Sequence, residues 1–154
     1  MFLQSIIVGI GGIFGANARF LIEYFVKDFT GPVVFPYGTL TVNMLGCIII
    51  GMMFAFIEGY NSISPRSRLL LITGFLGALT TFSSFGLDTF NLILKNHLII
   101  AVINVLVQVV FGLIAVWIGF VIARLIANEL IKIRQIRYKR QRARNIRPKK
   151  KGEQ

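Results

Sequence analysis

Asn43 is the only carboxamide between Tyr37 and Ile57, a stretch otherwise made of apolar residues, glycines and two threonines. In such surroundings a carboxamide either ties helices together or offers its NH2 group as a donor to a passing anion. A second grouping is Thr80, Thr81, Ser83 and Ser84, four hydroxyl residues interrupted by Phe82 and preceded by Gly74 and Gly77. Glycine is a weak helix former, and hydroxyl side chains compete for backbone hydrogen bonds, so this run is poor material for a regular helix. A break here would bare carbonyl oxygens on one side, which suit a hard cation. The N-terminus of the half-helix beyond it carries partial positive charge, which suits an anion. The other reading is an unbroken helix whose Ser and Thr bond back to the preceding turn. Phe82 and Phe85, three apart, share a helical face. They pack against lipid or core, or turn their positive ring edges toward a narrow anion path. Asn104 and Gln108, spaced i, i+4, put two amides on one face. Arg19 and Glu23 have the same spacing and read as an ion pair, or as side chains snorkelling to an interface.

The elements that position these residues follow from composition. The chain has 154 residues, 55% of them hydrophobic and 15% charged, with a mean hydropathy of +0.74. A soluble domain of this size cannot hide so much apolar surface, whereas lipid accommodates it. Crossing the hydrocarbon core takes about 20 mostly apolar residues. Four stretches qualify: Phe2 to Val26, Tyr37 to Ile57, Leu69 to Phe90, and Leu98 to Ile126. They are separated by Lys27-Asp28 with Gly31-Pro32, by Glu58 through Arg68, and by Lys95-Asn96-His97. Each is expected to be a helix, because a lone spanning segment must satisfy its own backbone. The predicted fold is therefore an all-α membrane protein of four transmembrane helices, the third broken near mid-membrane. Gly11 and Gly15 in the first span, and Gly46 and Gly51 in the second, mark faces of close helix approach. The N-terminus lacks the charged region of a signal peptide, so the first apolar stretch is expected to stay in the protein.

Charge sets the orientation. Of 17 Lys and Arg residues, 11 lie between Lys132 and Lys151. This divides the chain into a four-helix channel-like domain over 1–127 and a basic tail over 128–154. With four spans both termini share one side, and that side carries 14 cations against Lys27 and Lys95 on the other. The positive-inside rule then predicts cytoplasmic termini in a cell membrane. Leu130, Ile133 and Ile136 recur at roughly helical spacing, so the start of the tail is expected to lie along the anionic leaflet. Lipid, rather than nucleic acid, is its expected partner.

Other chemistries find little support. The single Cys47 excludes an internal disulfide framework, and in an apolar run it reads as a small buried hydrophobe. His97 is the sole histidine and falls in a predicted loop, and no nucleophile–base pair is visible, so no enzyme is expected. A small proton-coupled multidrug transporter, also of four spans, is the alternative. It would need a carboxylate deep in the membrane, but Glu23, Asp28, Glu58 and Asp88 lie at or near predicted span ends.

Three segments together resemble the Fluc (also called CrcB) family of bacterial fluoride channels. Gly11 to Phe20 is similar to the family's GGxxGAxxR[YF], Gly38 to Gly51 to its GTLxVNxxGxxxxG, and Gly74 to Phe85 to its GFLGGxTTFSTF. Order, spacing and layout agree over roughly residues 2–126. Ala78, Ser84 and Asp88 stand where glycine, threonine and glutamate are common. Asn104 and Gln108 occupy the face where the family usually shows a tyrosine and hydroxyl residues. The resemblance implies an antiparallel, dual-topology-type dimer with two pores that passively export fluoride and so lower its toxicity. Asn43, Phe82 and Phe85 match pore-lining positions, and Ser83, Asn104 and Gln108 are further pore candidates. Gly77 and Thr80 match residues whose backbone carbonyls hold a structural sodium ion (Na+), which is not transported, at the dimer interface. A homodimer of this kind needs each chain to insert both ways, and the charge bias opposes that. The partner is therefore expected to be either a second copy of this chain or, given that bias, an oppositely oriented paralogue in a heterodimer. Tags on both termini, probed for sidedness in cells, should report one orientation; equal populations of the two would contradict this reading.

Overall fold

The computed structural model describes residues 1–60 and 63–146. Residues 147–154, the end of the predicted basic tail, lie outside the described residues, as do Asn61 and Ser62. Helix α1 covers Phe2–Thr30 and α2 covers Tyr37–Tyr60. Helix α3 (65–79) starts α-helical over Pro65–Arg68, is wound as a π-helix over Leu69–Leu76, and ends with Gly77–Leu79. After extended residues at Thr80 and Thr81, α4 runs over Phe82–Leu94 and α5 over Leu98–Ile146. The structure is thus all-helical, with four segments long and apolar enough to cross a membrane: Phe2–Thr30, Tyr37–Glu58, Pro65–Leu94 and Leu98–Tyr138.

Local chemistry sets most of the boundaries. Lys27 and Asp28, expected to end the first helix, lie inside its last turn. A cation there complements the helix dipole, and the chain turns only at Gly31, whose φ of 69° suits glycine. Pro65 opens α3 behind the Ser64 cap, whose hydroxyl accepts the Ser67 N–H at 3.2 Å. Asn96, with φ 60°, reverses the chain between α4 and α5. From Val121 to Ile146 no Gly or Pro interrupts α5. Residues 128–146 continue the span's own helix, which at about 1.5 Å per residue is roughly 70 Å long, against about 30 Å of hydrocarbon.

The helices pack in two close pairs joined through small residues. In the α1–α3 pair, a Cβ on Gly11 would collide with the Leu70 carbonyl oxygen, and one on Gly15 with that of Phe75. In the α2–α5 pair, a Cβ on Gly51 would meet the Val116 carbonyl oxygen, and one on Gly119 that of Ile48. Ala115, Ala123 and Ala127 extend this second seam and are buried. Backbone contact of this kind is how helices associate when lipid competes for every apolar side chain. Large hydrophobic side chains accordingly point outward, as Trp117 does at 65% exposure. Arg124 stacks over the Phe120 ring at 4.6 Å from its centroid. Gly119→Leu should wedge α2 from α5 and cost about 1–3 kcal/mol or more. A lower thermal unfolding midpoint in detergent would show this; an unchanged midpoint would mean the seam is not close-packed.

Candidate functional site

The site forms where the third span is interrupted. Thr80 and Thr81 are extended, with ψ of 152° and 114°, so two turns of backbone lose their ordinary partners. Asn43, facing them from α2, supplies replacements. Its Oδ1 accepts the Thr81 N–H at 2.9 Å, and its Nδ2 donates to the Thr81 carbonyl at 3.3 Å. The helix then restarts on a side-chain cap, in which Thr81 Oγ1 accepts the Ser84 N–H at 3.1 Å. Thr80 is held from the other side, its N–H and its Oγ1 both donating to the Leu76 carbonyl, at 3.0 and 2.9 Å. Gly46 makes room for it, since a Cβ there would run into Thr80 Cγ2.

These diversions have a second consequence. In a continuous helix the Thr81 N–H would close on the Gly77 carbonyl, and the Ser84 N–H on that of Thr80. Here they go to Asn43 and to the Thr81 hydroxyl. The carbonyl oxygens of Gly77 and Thr80 are thereby released from helical pairing, and both residues line the same groove. Released carbonyls are the ligand type a hard cation takes. Among the described residues no group of three or more His, Cys, Asp and Glu suited to a metal is present.

The groove beside the interruption has a volume of about 390 Å³. Asn43, Phe82, Phe85 and Gln108 line it together, as do Cys47, one helical turn beyond Asn43, and the apolar Leu76 and Val109. The Phe82 and Phe85 rings meet edge to face, with centroids 5.4 Å apart at 61°. Phe82 is 83% exposed. Gln108 comes from α5, and its Oε1 accepts from Asn43 Nδ2 at 3.1 Å. Thus α2, the two halves of the third span, and α5 all contribute.

Two predicted pore residues fall elsewhere. Asn104 is fully buried behind the wall, its Nδ2 donating to Thr89 Oγ1 at 2.9 Å, and its Oδ1 has no hydrogen-bond partner. Ser83 is exposed and outside the groove lining. Its hydroxyl lies 3.2 Å from Thr81 Oγ1. Of the two readings for Arg19 and Glu23, an ion pair or snorkelling to an interface, the ion pair is not formed within 4 Å. Among the described residues the ion pair within 4 Å is Lys132–Glu129 on the exposed tail. Glu23 instead packs against Gly38 at the start of α2, where its Oε1 is buried without a hydrogen-bond partner. Two polar links were not anticipated. The Thr39 hydroxyl donates to Asp88 Oδ2 at 2.6 Å, tying α2 to α4, and the Thr81 backbone serves as the partner of Asn43. The first had no signal beyond two isolated polar residues. The second follows once a break is granted, because the bared groups need a side chain with both a donor and an acceptor.

Residues 6–120 match the family model described as CrcB-like protein, Camphor Resistance (CrcB). The chain is 41% identical over 121 residues to a protein of Citrifermentans bemidjiense named fluoride-specific ion channel FluC, a match covering 79% of this chain and 97% of that protein. It is 50% identical over 103 residues to one of the same name from Nitratiruptor sp., covering 67% and 78%. A third, from Francisella tularensis subsp. mediasiatica, is 44% identical over 126 residues, covering 79% and 95%.

The cap at Thr81 offers a direct check on the geometry. Thr81→Val keeps the volume but removes the acceptor for the Ser84 N–H, and should cost about 1 kcal/mol. Thr81→Ser should restore most of it in thermal unfolding; equal loss in both variants would mean that the cap is not made.

Proposed function

This chain belongs to the CrcB family, and from that premise we propose that it is one subunit of a fluoride-selective channel. The channel lets fluoride leave the cytoplasm passively and so lowers its toxicity. The observation that carries the reading is the convergence of Asn43, Phe82, Phe85 and Gln108 on one groove at the interrupted third span. Carboxamide N–H groups and ring edges are weak, uncharged donors to an anion. A strongly cationic site would hold the ion, whereas donors of this kind let it come and go, as conduction requires. Membership also leaves the multidrug transporter alternative without support.

The working unit is a pair of such subunits in antiparallel orientation, with the interruption of each third span near mid-membrane. The exposed Phe82 at the rim supports this, because a second subunit would cover the ring and close the groove into a pore. Gly77 and Thr80 would hold a structural sodium ion between the two subunits through their released carbonyls. The ion would hold the two interruptions together and is not itself conducted. The same-sided cationic bias argues for cytoplasmic termini and for a paralogous partner of opposite orientation, with the basic tail near anionic lipid.

Efflux from liposomes containing the purified chain should be fast for fluoride and at least about a hundredfold slower for chloride. It should fade in sodium-free buffer, and Phe82→Ile should slow it. Chloride leaving as fast as fluoride would contradict the proposal. No flux from the lone chain, followed by flux when its paralogue is co-expressed, would identify the heterodimer as the working unit.

A further inference from the structure

Two carboxamides are in hydrogen-bond contact at the groove, Asn43 and Gln108, and the backbone decides which way each one faces. The Thr81 N–H can only donate, so the Asn43 atom 2.9 Å from it is the carbonyl oxygen. The other end of Asn43 is then its NH2 group. One of its protons goes to the Thr81 carbonyl at 3.3 Å and the other to Gln108 at 3.1 Å. The Gln108 atom receiving that proton must be an acceptor, its Oε1. The NH2 group is left as the free end of Gln108. It has no hydrogen-bond partner, on a side chain only 9% exposed that lines the groove wall.

We propose that Asn43 acts as a relay and that Gln108 is the amide donor that meets the anion. The inference rests on the fluoride-channel reading and changes which amide does the recognising. Asn43 has both of its protons committed within the chain, whereas Gln108 has two unspent. A buried unpaired NH2 group is unfavourable as it stands, and a charge-assisted bond to an anion is stronger than a neutral one. An anion entering the groove therefore removes an existing penalty at Gln108, but would have to break existing bonds at Asn43. The relay also bears on the sign of the permeating charge. Both carboxamide oxygens already accept a hydrogen bond within the chain, whereas the Gln108 NH2 group donates none. Asn104, one turn away on α5, has the opposite polarity, with its NH2 on Thr89 and its oxygen unpaired. Of these two amides, Gln108 is the one with an unpaired donor.

The test is side-chain amide NMR of the full chain in lipid nanodiscs, titrated with sodium fluoride and, separately, with sodium chloride. The Gln108 NH2 pair is identified by its loss in Gln108→Met. It should move with fluoride and stay still with chloride, and the Asn43 pair should move less. Asn43→Asp keeps the acceptor for Thr81 but presents oxygen to Gln108, so Gln108 should flip and lose its fluoride response. In efflux, Gln108→Glu removes both N–H groups while keeping the acceptor for Asn43, and should slow fluoride about tenfold or more. A shift confined to Asn43, or a Gln108 response that survives Asn43→Asp, would overturn the relay. Wild-type liposomes separate the two failures. Fluoride efflux with an unresponsive Gln108 sinks the relay alone, whereas neither efflux nor any amide shift, with the paralogue co-expressed as well, sinks the channel reading with it.

Discussion

Backbone N–H and C=O groups cannot be left bare in hydrocarbon, and the arrangement at the site follows from that constraint. A helix meets it within itself. Once the third span opens at Thr80 and Thr81, the exposed groups must find partners in a neighbour. Asn43, on α2, brings both a donor and an acceptor to the Thr81 backbone. The close seam between α2 and α5 then brings Gln108 against Asn43. Satisfying the interruption and building the groove are thus one piece of chemistry.

The same constraint explains why small residues are spread along the helices. In water, apolar faces drive helices together; in lipid they gain little by leaving it, so contact must come through the backbone. Gly11 and Gly15 let α1 sit on the π-wound part of α3, and Gly51 and Gly119 join α2 to α5. The two pairs meet at the interruption, where Gly46 admits Thr80. Sites of this kind need rigid surroundings, and backbone-to-backbone packing supplies them without long side chains that could change rotamer.

Much of this was legible from residue types alone. Four spans follow from apolar length, and the polar residues that matter stand out because lipid makes them costly. The hydroxyl run from Thr80 to Ser84 marked the place where helix would be hard to continue. What pattern could not supply was direction. Asn104 and Gln108 look equivalent in sequence, yet one faces Thr89 and the other the groove, because direction depends on helix rotation and on which neighbour sits opposite. The π-winding of Leu69–Leu76 left no trace in composition. Arg19 and Glu23 show the converse, in which the right spacing did not yield an ion pair within 4 Å, while Glu23 packs beside Gly38 of α2.

The central claim is that the Asn43 carboxamide holds the interruption by pairing with Thr81. Hydrogen exchange at the Thr81 amide, measured in lipid nanodiscs for wild type and for Asn43→Ala, tests it most directly. The account predicts slow exchange in wild type and acceleration of about tenfold or more in the variant, with amides in the α1–α3 seam unchanged. Equal exchange in the two proteins would mean that Asn43 does not hold the break.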